Sequence, residues 1–364
     1  MLVGVPKEIK VHEYRVGATP HSVRELVRHG HQVLVESGAG AAIGLTDAQY
    51  LEAGATIAAS AAEVFAQAEL IVKVKEPQPQ ECRQLHQGQT LFTYLHLAAD
   101  PEQARLLMAS GTTAIAYETV TAANGTLPLL APMSEVAGRM AIQAGAHCLE
   151  KTQGGAGLLL GGVPGVAPAK VLILGGGVVG YNAALIAVGM GAQVTVMDRS
   201  LDRLRHLDSL FGNRIRSGHA VSGAIEAQVL GADLIVGAVL IPGAATPKLV
   251  PREWLARMKP GSVLVDVSID QGGCFETSRP TTHADPTFVV DGIIHYCVSN
   301  MPGAVARTSA FALNNATLPF VLALAGKGSQ QAMADDPHLA AGLNVHEGRI
   351  IHPAVAAALV AITT

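Results

Sequence analysis

Aromatic residues make up only 4% of this 364-residue chain, with a single tryptophan. A surface that stacks unpaired bases needs more of them. Charge is sparse too: Asp, Glu, Lys and Arg total 15%, the net charge is -4, and no block of like charges stands out. The basic stripe of a nucleic-acid binder is missing, and so is the high charge of a disordered chain. The four cysteines, Cys82, Cys148, Cys274 and Cys297, form no CxxC pair. Their spacing suggests neither a disulfide framework nor a zinc site, and they read as small buried apolar residues in a reducing compartment. No metal-ligand cluster is visible, so no metal is expected. The opening Met1-Leu2-Val3-Gly4-Val5-Pro6-Lys7-Glu8 lacks the basic-then-apolar order of a signal peptide. The longest apolar stretches, such as 234–241, are read as far short of a membrane span. These absences predict a cytoplasmic protein with no nucleic-acid and no membrane partner.

What is present is apolar material for cores, 49% of the chain, at a length suited to two domains. The first third alternates strand and helix. Strands are expected at 2–5, 32–35, 70–74, 90–94 and 113–116. One helix begins at Thr19-Pro20 and ends at Gly30, and another starts at Thr46. A long helix is expected from Met133 to about Lys151. After a Gly/Pro-rich segment, 154–168, a second pattern supplies strands at 171–174, 194–197, 234–236 and 263–265. From Thr308 the pattern is read as three helices, 308–324, 332–343 and 354–362. Strands separated by helices imply parallel sheets.

The strand ending at Leu174 runs straight into Gly175-Gly176-Gly177-Val178-Val179-Gly180, a helical stretch follows to Gly189, and the next strand ends in Asp198. That order is the dinucleotide-binding unit of a Rossmann fold. Gly175 permits the tight turn, Gly177 lets the backbone approach a pyrophosphate, and Gly180 lets the helix lie against the strand. The helix N-terminus offers unpaired N–H groups to phosphate. Asp198 would accept from ribose hydroxyls and repel a 2′-phosphate, which favours NAD over NADP; Arg199 and Arg203 nearby would soften that preference.

Four further residues stand at the ends of strands or in loops beside them. His96 follows the strand at 90–94, where ligands gather in an open parallel sheet and where an imidazole could move protons. With 14 histidines in the chain, position alone favours a structural role. Lys75 ends the strand at 70–74, but Lys73 lies two residues away on the same face, so position does not choose between them. Arg15, in the loop between the first strand and first helix, could clamp a carboxylate with two prongs or be a surface cation. Asp270 sits in the glycine-bearing loop Asp270-Gln271-Gly272-Gly273 after the strand at 263–265, placed equally for a role near the cofactor or for shaping the turn.

At these residues the chain closely resembles the NAD-dependent alanine dehydrogenases of bacteria. The likeness runs end to end through Gly4-Val5-Pro6-Lys7-Glu8, Val72-Lys73-Val74-Lys75-Glu76-Pro77, Leu95-His96-Leu97-Ala98, Tyr117-Glu118-Thr119, Pro128 to Arg139, Gly161-Gly162-Val163-Pro164-Gly165-Val166, Asp270-Gln271-Gly272-Gly273 and Ser299-Asn300-Met301-Pro302-Gly303. The resemblance implies interconversion of L-alanine with pyruvate and ammonium, using NAD. It makes His96 and Asp270 the catalytic pair, and Arg15 and Lys75 the substrate contacts. It makes Ser134, Val178, Val179, Asp198, Arg203, Val239, Leu240, Val267, Ser268, Ile269, Asp270, Arg279, Val298, Ser299, Asn300 and Met301 cofactor contacts beside the glycine turn. The implied architecture is α/β, with two Rossmann-like doubly wound parallel-sheet domains separated by a cleft. One would be a discontinuous substrate domain, 1–130 with 305–364, and the other an NAD domain, 131–304. A homohexamer is implied as well. Two departures are visible: Ala220 stands where the family often has Ser near the adenosine pocket, and the chain stops at Thr364, short of much of the family's usual tail.

The resemblance extends to the NAD(H)-binding part of the proton-translocating transhydrogenases, which makes hydride exchange between nucleotides the rival activity. Arg15, Lys75 and His96 together favour a substrate pocket instead. A non-enzymatic NAD-responsive regulator, or a dehydrogenase of a larger amino acid, would keep the same fold.

Overall fold

In the computed structural model, residues 1–239 and 246–363 are described. The chain divides into two units, one of 1–133 with 305–364 and one of 134–304.

The first unit builds an eight-stranded sheet. Six strands come from the start of the chain: β1 (Leu2–Val5), β2 (Gln32–Glu36), β3 (Thr56–Ala58), β4 (Leu70–Val72), β5 (Thr90–Thr93) and β6 (Thr113–Ala116). Two come from its end, β14 (Leu343–His346) and β15 (Arg349–Ile350). Their order is β15-β14-β6-β5-β4-β1-β2-β3. The chain winds outward from β1 in one direction and from β4 in the other. The order therefore reverses between β1 and β4, and their C-terminal loops open there. β1 to β6 are parallel throughout. A core of Leu34, Val64, Phe65, Ile71, Leu91, Leu107 and Val345 packs on one face.

Local chemistry sets the first helices where the sequence places them. Thr19 caps Pro20–Arg28, with Pro at the first position, and Thr46 makes a reciprocal capping box with Gln49 at Asp47–Glu52. The end of the chain departs from expectation. Instead of separate helices at 308–324 and 332–343, one helical element runs Ala306–Asp335, interrupted at Gly328 (φ 75°), and a four-residue helix Pro337–Ala340 follows. Leu343 then opens β14, which pairs antiparallel with β6. Glu347 and Gly348, both at positive φ, form the two-residue turn into β15. The sheet is thus mostly parallel with an antiparallel edge.

Apolar length was also under-read. By length and composition the segment Met301–Asp335 could cross a membrane, and 44% of its apolar window is buried within the protein. It carries buried Asn314, which accepts from Thr19 N (2.7 Å) and Ser22 Oγ (3.0 Å) and donates to Val16 O (3.2 Å). That anchors the loop before the first helix.

The second unit holds β7 (Lys170–Leu174), β8 (Gln193–Asp198), β9 (Ile215–His219), β10 (Leu234–Gly237), β11 (Val263–Asp266), β12 (Thr287–Val290) and β13 (Ile293–Tyr296). Their order is β12-β13-β11-β10-β7-β8-β9, with only β12 antiparallel. Here the order reverses between β7 and β10. The long helix spans Ala131–Cys148, two residues earlier at its start and three earlier at its end than its sequence pattern suggests. Its glycines allow close packing. A Cβ on Gly138 would stand 2.2 Å from Val179 O, and one on Gly145 would stand 2.5 Å from Leu234 Cδ1. Beneath lies a core of Leu172, Ile235, Trp254, Leu264 and Phe275.

Candidate active site

In the first unit, Arg15, Lys75 and His96 follow the C-terminal ends of β1, β4 and β5, three adjacent strands. The loop bearing Arg15 lies flat on β4, because Gly17 has no side chain: a Cβ there would meet Val72 O at 2.3 Å. Arg15 is 2% exposed. Glu13 grips its Nε (2.6 Å) and Nη2 (2.5 Å), and Nη1 reaches Met133 Sδ at 3.0 Å. Burial opposes the guanidinium charge, but the bonds and charge of Glu13 outweigh it and raise the pKa.

The structure separates the two lysines. β4 ends at Val72, so the alternation that put Lys73 and Lys75 on one face does not continue. Lys73 is wholly buried, with Nζ 2.7 Å from Glu81 and 3.0 Å from Glu8. Burial works against its charge, but the two carboxylates hold its pKa above the usual lysine value. Glu8 also accepts from Val74 N at 2.6 Å, which ties the loop after β1 to the end of β4. Lys73 is therefore a structural cation. The Lys75 side chain is 12% exposed and lies 3.9 Å from Glu76.

His96 has a half-exposed ring and a left-handed backbone (φ 51°, ψ 35°). Its ring lies parallel to that of Tyr94, 5.7 Å between centroids. Tyr94 is locked in turn by its hydroxyl on Leu129 O (2.5 Å) and by edge contact with Tyr117.

In the second unit most of the candidate cofactor residues collect after the C-terminal ends of β7, β8, β10, β11 and β13. Gly175 takes φ 100°, and a Cβ there would sit 2.7 Å from Ala238 O. A Cβ on Gly180 would fall 1.8 Å from Gly175 O, so helix Val178–Gly189 can start against the strand only with glycine at that position. At Gly177 a Cβ would meet nothing within 4 Å: the helix N-terminus is bare on that side. Asp198 accepts from Gly176 N (2.7 Å) and Ser200 N (2.8 Å), and Arg203 bonds the carbonyls of Gly176 and Gly177.

The loop Val267, Ser268, Ile269, Asp270 is braced from below by Asp266. This buried carboxylate accepts from Ser268 N (3.0 Å), Cys274 N (2.9 Å), Phe275 N (3.3 Å) and Ser278 Oγ (2.6 Å). Ser268 Oγ bonds Val239 O at 2.6 Å, joining the loops after β11 and β10. Asp270 itself is exposed. Val298 and Met301 are buried, Ser299 and Asn300 half-buried, and Asn300 turns through φ 58°. Arg279 stacks on Phe288 at 4.4 Å, and Ser134 is half-buried on the long helix. Leu240 lies outside the described residues. The half-buried Ala220 packs against the core of this unit.

The glycine turn fits a dinucleotide: a bare helix start with an acid ending the next strand is what a pyrophosphate and a ribose diol require. Sequence reasoning passed over Glu8, Glu13, Glu118 and Asp266. Each is an acid at a strand end or in the loop after one, and Glu8 and Glu118 also stand in the motifs that carry the resemblance.

Residues 4–137 match the family description "Alanine dehydrogenase/PNT, N-terminal domain", and residues 141–353 match "Alanine dehydrogenase/PNT, C-terminal domain". The alanine dehydrogenase of Halomonas elongata is 63% identical over 358 residues, covering 98% of this chain and 96% of the relative. That of Mycobacterium tuberculosis (strain H37Rv) is 54% identical, with the same coverage of each. A solved L-alanine dehydrogenase superposes with a TM-score of 0.96 at 52% identity over 100% of both chains. A transhydrogenase from Sinorhizobium meliloti superposes at 0.82 with 25% identity, over 97% of this chain and 100% of that one. With both family domains matched and these identities running the length of the sequence, the chain belongs to the alanine dehydrogenase family.

Proposed function

We propose that the chain catalyses the NAD-dependent oxidative deamination of L-alanine to pyruvate and ammonium, and the reverse amination. The observation that carries this reading is the 63% identity to an alanine dehydrogenase over 98% of the chain. The site residues support it: a guanidinium, an ammonium and an imidazole at neighbouring strand ends of one unit, and a bare glycine turn with its acid in the other.

Arg15 and Lys75 take the substrate carboxylate and carbonyl. The Nη1 of Arg15 now faces a thioether, a weak acceptor that a carboxylate outcompetes. The N–H groups at the start of helix Val178–Gly189 hold the diphosphate, and Asp198 takes the ribose hydroxyls. Bound NAD would supply the acceptor for the α-hydride, so that alanine, its amine having given one proton to solvent, becomes an iminium. His96 and Asp270 then act as the acid–base pair. One takes a proton from the water that adds to the iminium carbon, and the other returns a proton to the departing amine, giving pyruvate and ammonium. Such help is worth roughly 10² to 10⁴ in rate. A homohexamer working in the cytoplasm belongs to the same proposal, on family kinship.

The test is spectrophotometric. NADH oxidation is followed with pyruvate plus ammonium, with glyoxylate or larger oxoacids in place of pyruvate, and with NADPH in place of NADH. Fastest turnover with pyruvate, ammonium and NADH is expected. A preference for a larger oxoacid, or hydride exchange between nucleotides without oxoacid, overturns the reading.

A further inference from the structure

Glu118 has no part in the proton transfers assigned to His96 and Asp270, yet it touches His96 at two points. It lies in the turn Tyr117–Thr119 after β6, the strand beside β5. Its Oε1 accepts from His96 N at 2.6 Å and from Leu95 N at 3.2 Å, and Oε2 lies 3.3 Å from Leu95 N. The same Oε1 stands 3.8 Å from His96 Nδ1. His96 is one of the few described non-glycine residues in the left-handed region. A side chain disfavours that conformation, which persists where surroundings over-determine it. Here the carboxylate supplies part of that constraint, by accepting the N–H groups of the turn. Tyr94 sets the plane of the ring, within 7° of its own. Glu118 therefore meets both the main chain and one ring nitrogen of His96.

We propose that Glu118 is a positioning residue for His96. It holds the left-handed turn, and its charge keeps the proton on Nδ1, so that Nε2 exchanges protons with the substrate. When Nε2 takes a proton, the ring becomes an imidazolium; when Nε2 gives the proton up, the ring returns to the Nδ1–H tautomer. An acid behind a catalytic imidazole sets tautomer and orientation in this way. The inference rests on the role given to His96 above.

Glu118→Gln separates the two contacts. The amide oxygen can still accept from His96 N and Leu95 N, but the charge is gone. The expected result is an unchanged melting temperature, KM for pyruvate and for NADH within about twofold of the parent, and kcat lower by about tenfold or more. In a His96→Ala background the same substitution should lower the residual rate no further. Parent-like kcat for E118Q beside an inactive H96A removes Glu118 alone. So does an equal fall in kcat in both backgrounds, or a loss of melting temperature with kcat and KM worsening together. If H96A keeps its turnover, the reaction assigned to His96 and this inference fall together.

Discussion

Lys73 Nζ lies 3.0 Å from Glu8 Oε2, with both side chains sealed from solvent, and this pair fixes the loop after β1 to the end of β4. Removing one partner of a buried pair leaves the other charge uncompensated, at a cost of about 3–5 kcal/mol. Lys73→Ala should therefore lower the melting temperature by several degrees. Lys75→Ala should leave it within a degree or so, while raising KM for pyruvate and cutting turnover. Thermal denaturation and steady-state kinetics on the two variants decide this. Equal thermal losses would return Lys75 to a structural role.

The glycine turn contains two glycines with opposite expected behaviour. Gly180→Ala places a methyl 1.8 Å from a backbone oxygen, so the helix must move. A loss of folded protein, or of several degrees, is expected. Gly177→Ala meets open space and should fold normally, yet weaken NADH binding by blocking the close approach of the diphosphate. Fluorescence titration with NADH, beside a melting curve, separates them. Full affinity in G177A would place the diphosphate elsewhere.

Asp266 and Asp270, four residues apart, should also part company. Asp266→Ala strands several buried N–H groups, each worth about 1–3 kcal/mol, and should destabilise the loop together with the fold. Asp270→Asn should keep the parent melting temperature and lose roughly 10² to 10⁴ in kcat. Unaltered kcat in D270N would exclude that carboxylate from the proton transfers.

All four cysteines are buried and unpaired. Burial pushes the Cys148 thiol up to about 11, and Cys82 and Cys297 up to about 12. Burial raises Cys274 further, helped by the Asp266 carboxylate beside it. The thiolate is the reacting form, so native protein at neutral pH should scarcely react with Ellman's reagent. In guanidinium chloride all four should react at once. Fast labelling of the native protein would contradict this packing.

His295 is fully buried, with Nε2 2.7 Å from Thr277 Oγ1 and Nδ1 3.0 Å from Ile293 O. Burial depresses its pKa. The unfolded chain takes a proton at the ordinary imidazole value of about 6.5, before the folded protein does. The stabilisation it gives is complete above that value and is lost as pH falls through it. The melting temperature should fall less between about pH 7.5 and pH 5.5 in His295→Gln, whose amide can still bond Thr277. Identical slopes would show that the ring does not contribute.

The glycine turn was legible because its requirements are local. Strand, turn and helix follow one another within 20 residues or so, and each glycine answers a steric demand of its neighbours. The β14–β15 hairpin was not. Its strands hold only four and two residues, and β14 owes its place to β6, more than 200 positions earlier. A short apolar run of that kind suits either a helix or a strand until its partner is known.

Sequence alone determined the two α/β patterns, the cofactor turn and the family. Those rest on periodicity, on backbone sterics and on motifs read in order along the chain. Tertiary structure decided which lysine is buried, what braces Asp270, what grips Arg15 and what stands behind His96. Glu13 and Asp266 meet their cation and backbone N–H partners within nine residues of themselves, but Glu8 and Glu118 meet a cation and backbone N–H groups from a different stretch of chain. Such a pairing leaves no mark on spacing; it exists only once folding has brought neighbouring strand ends within bonding distance.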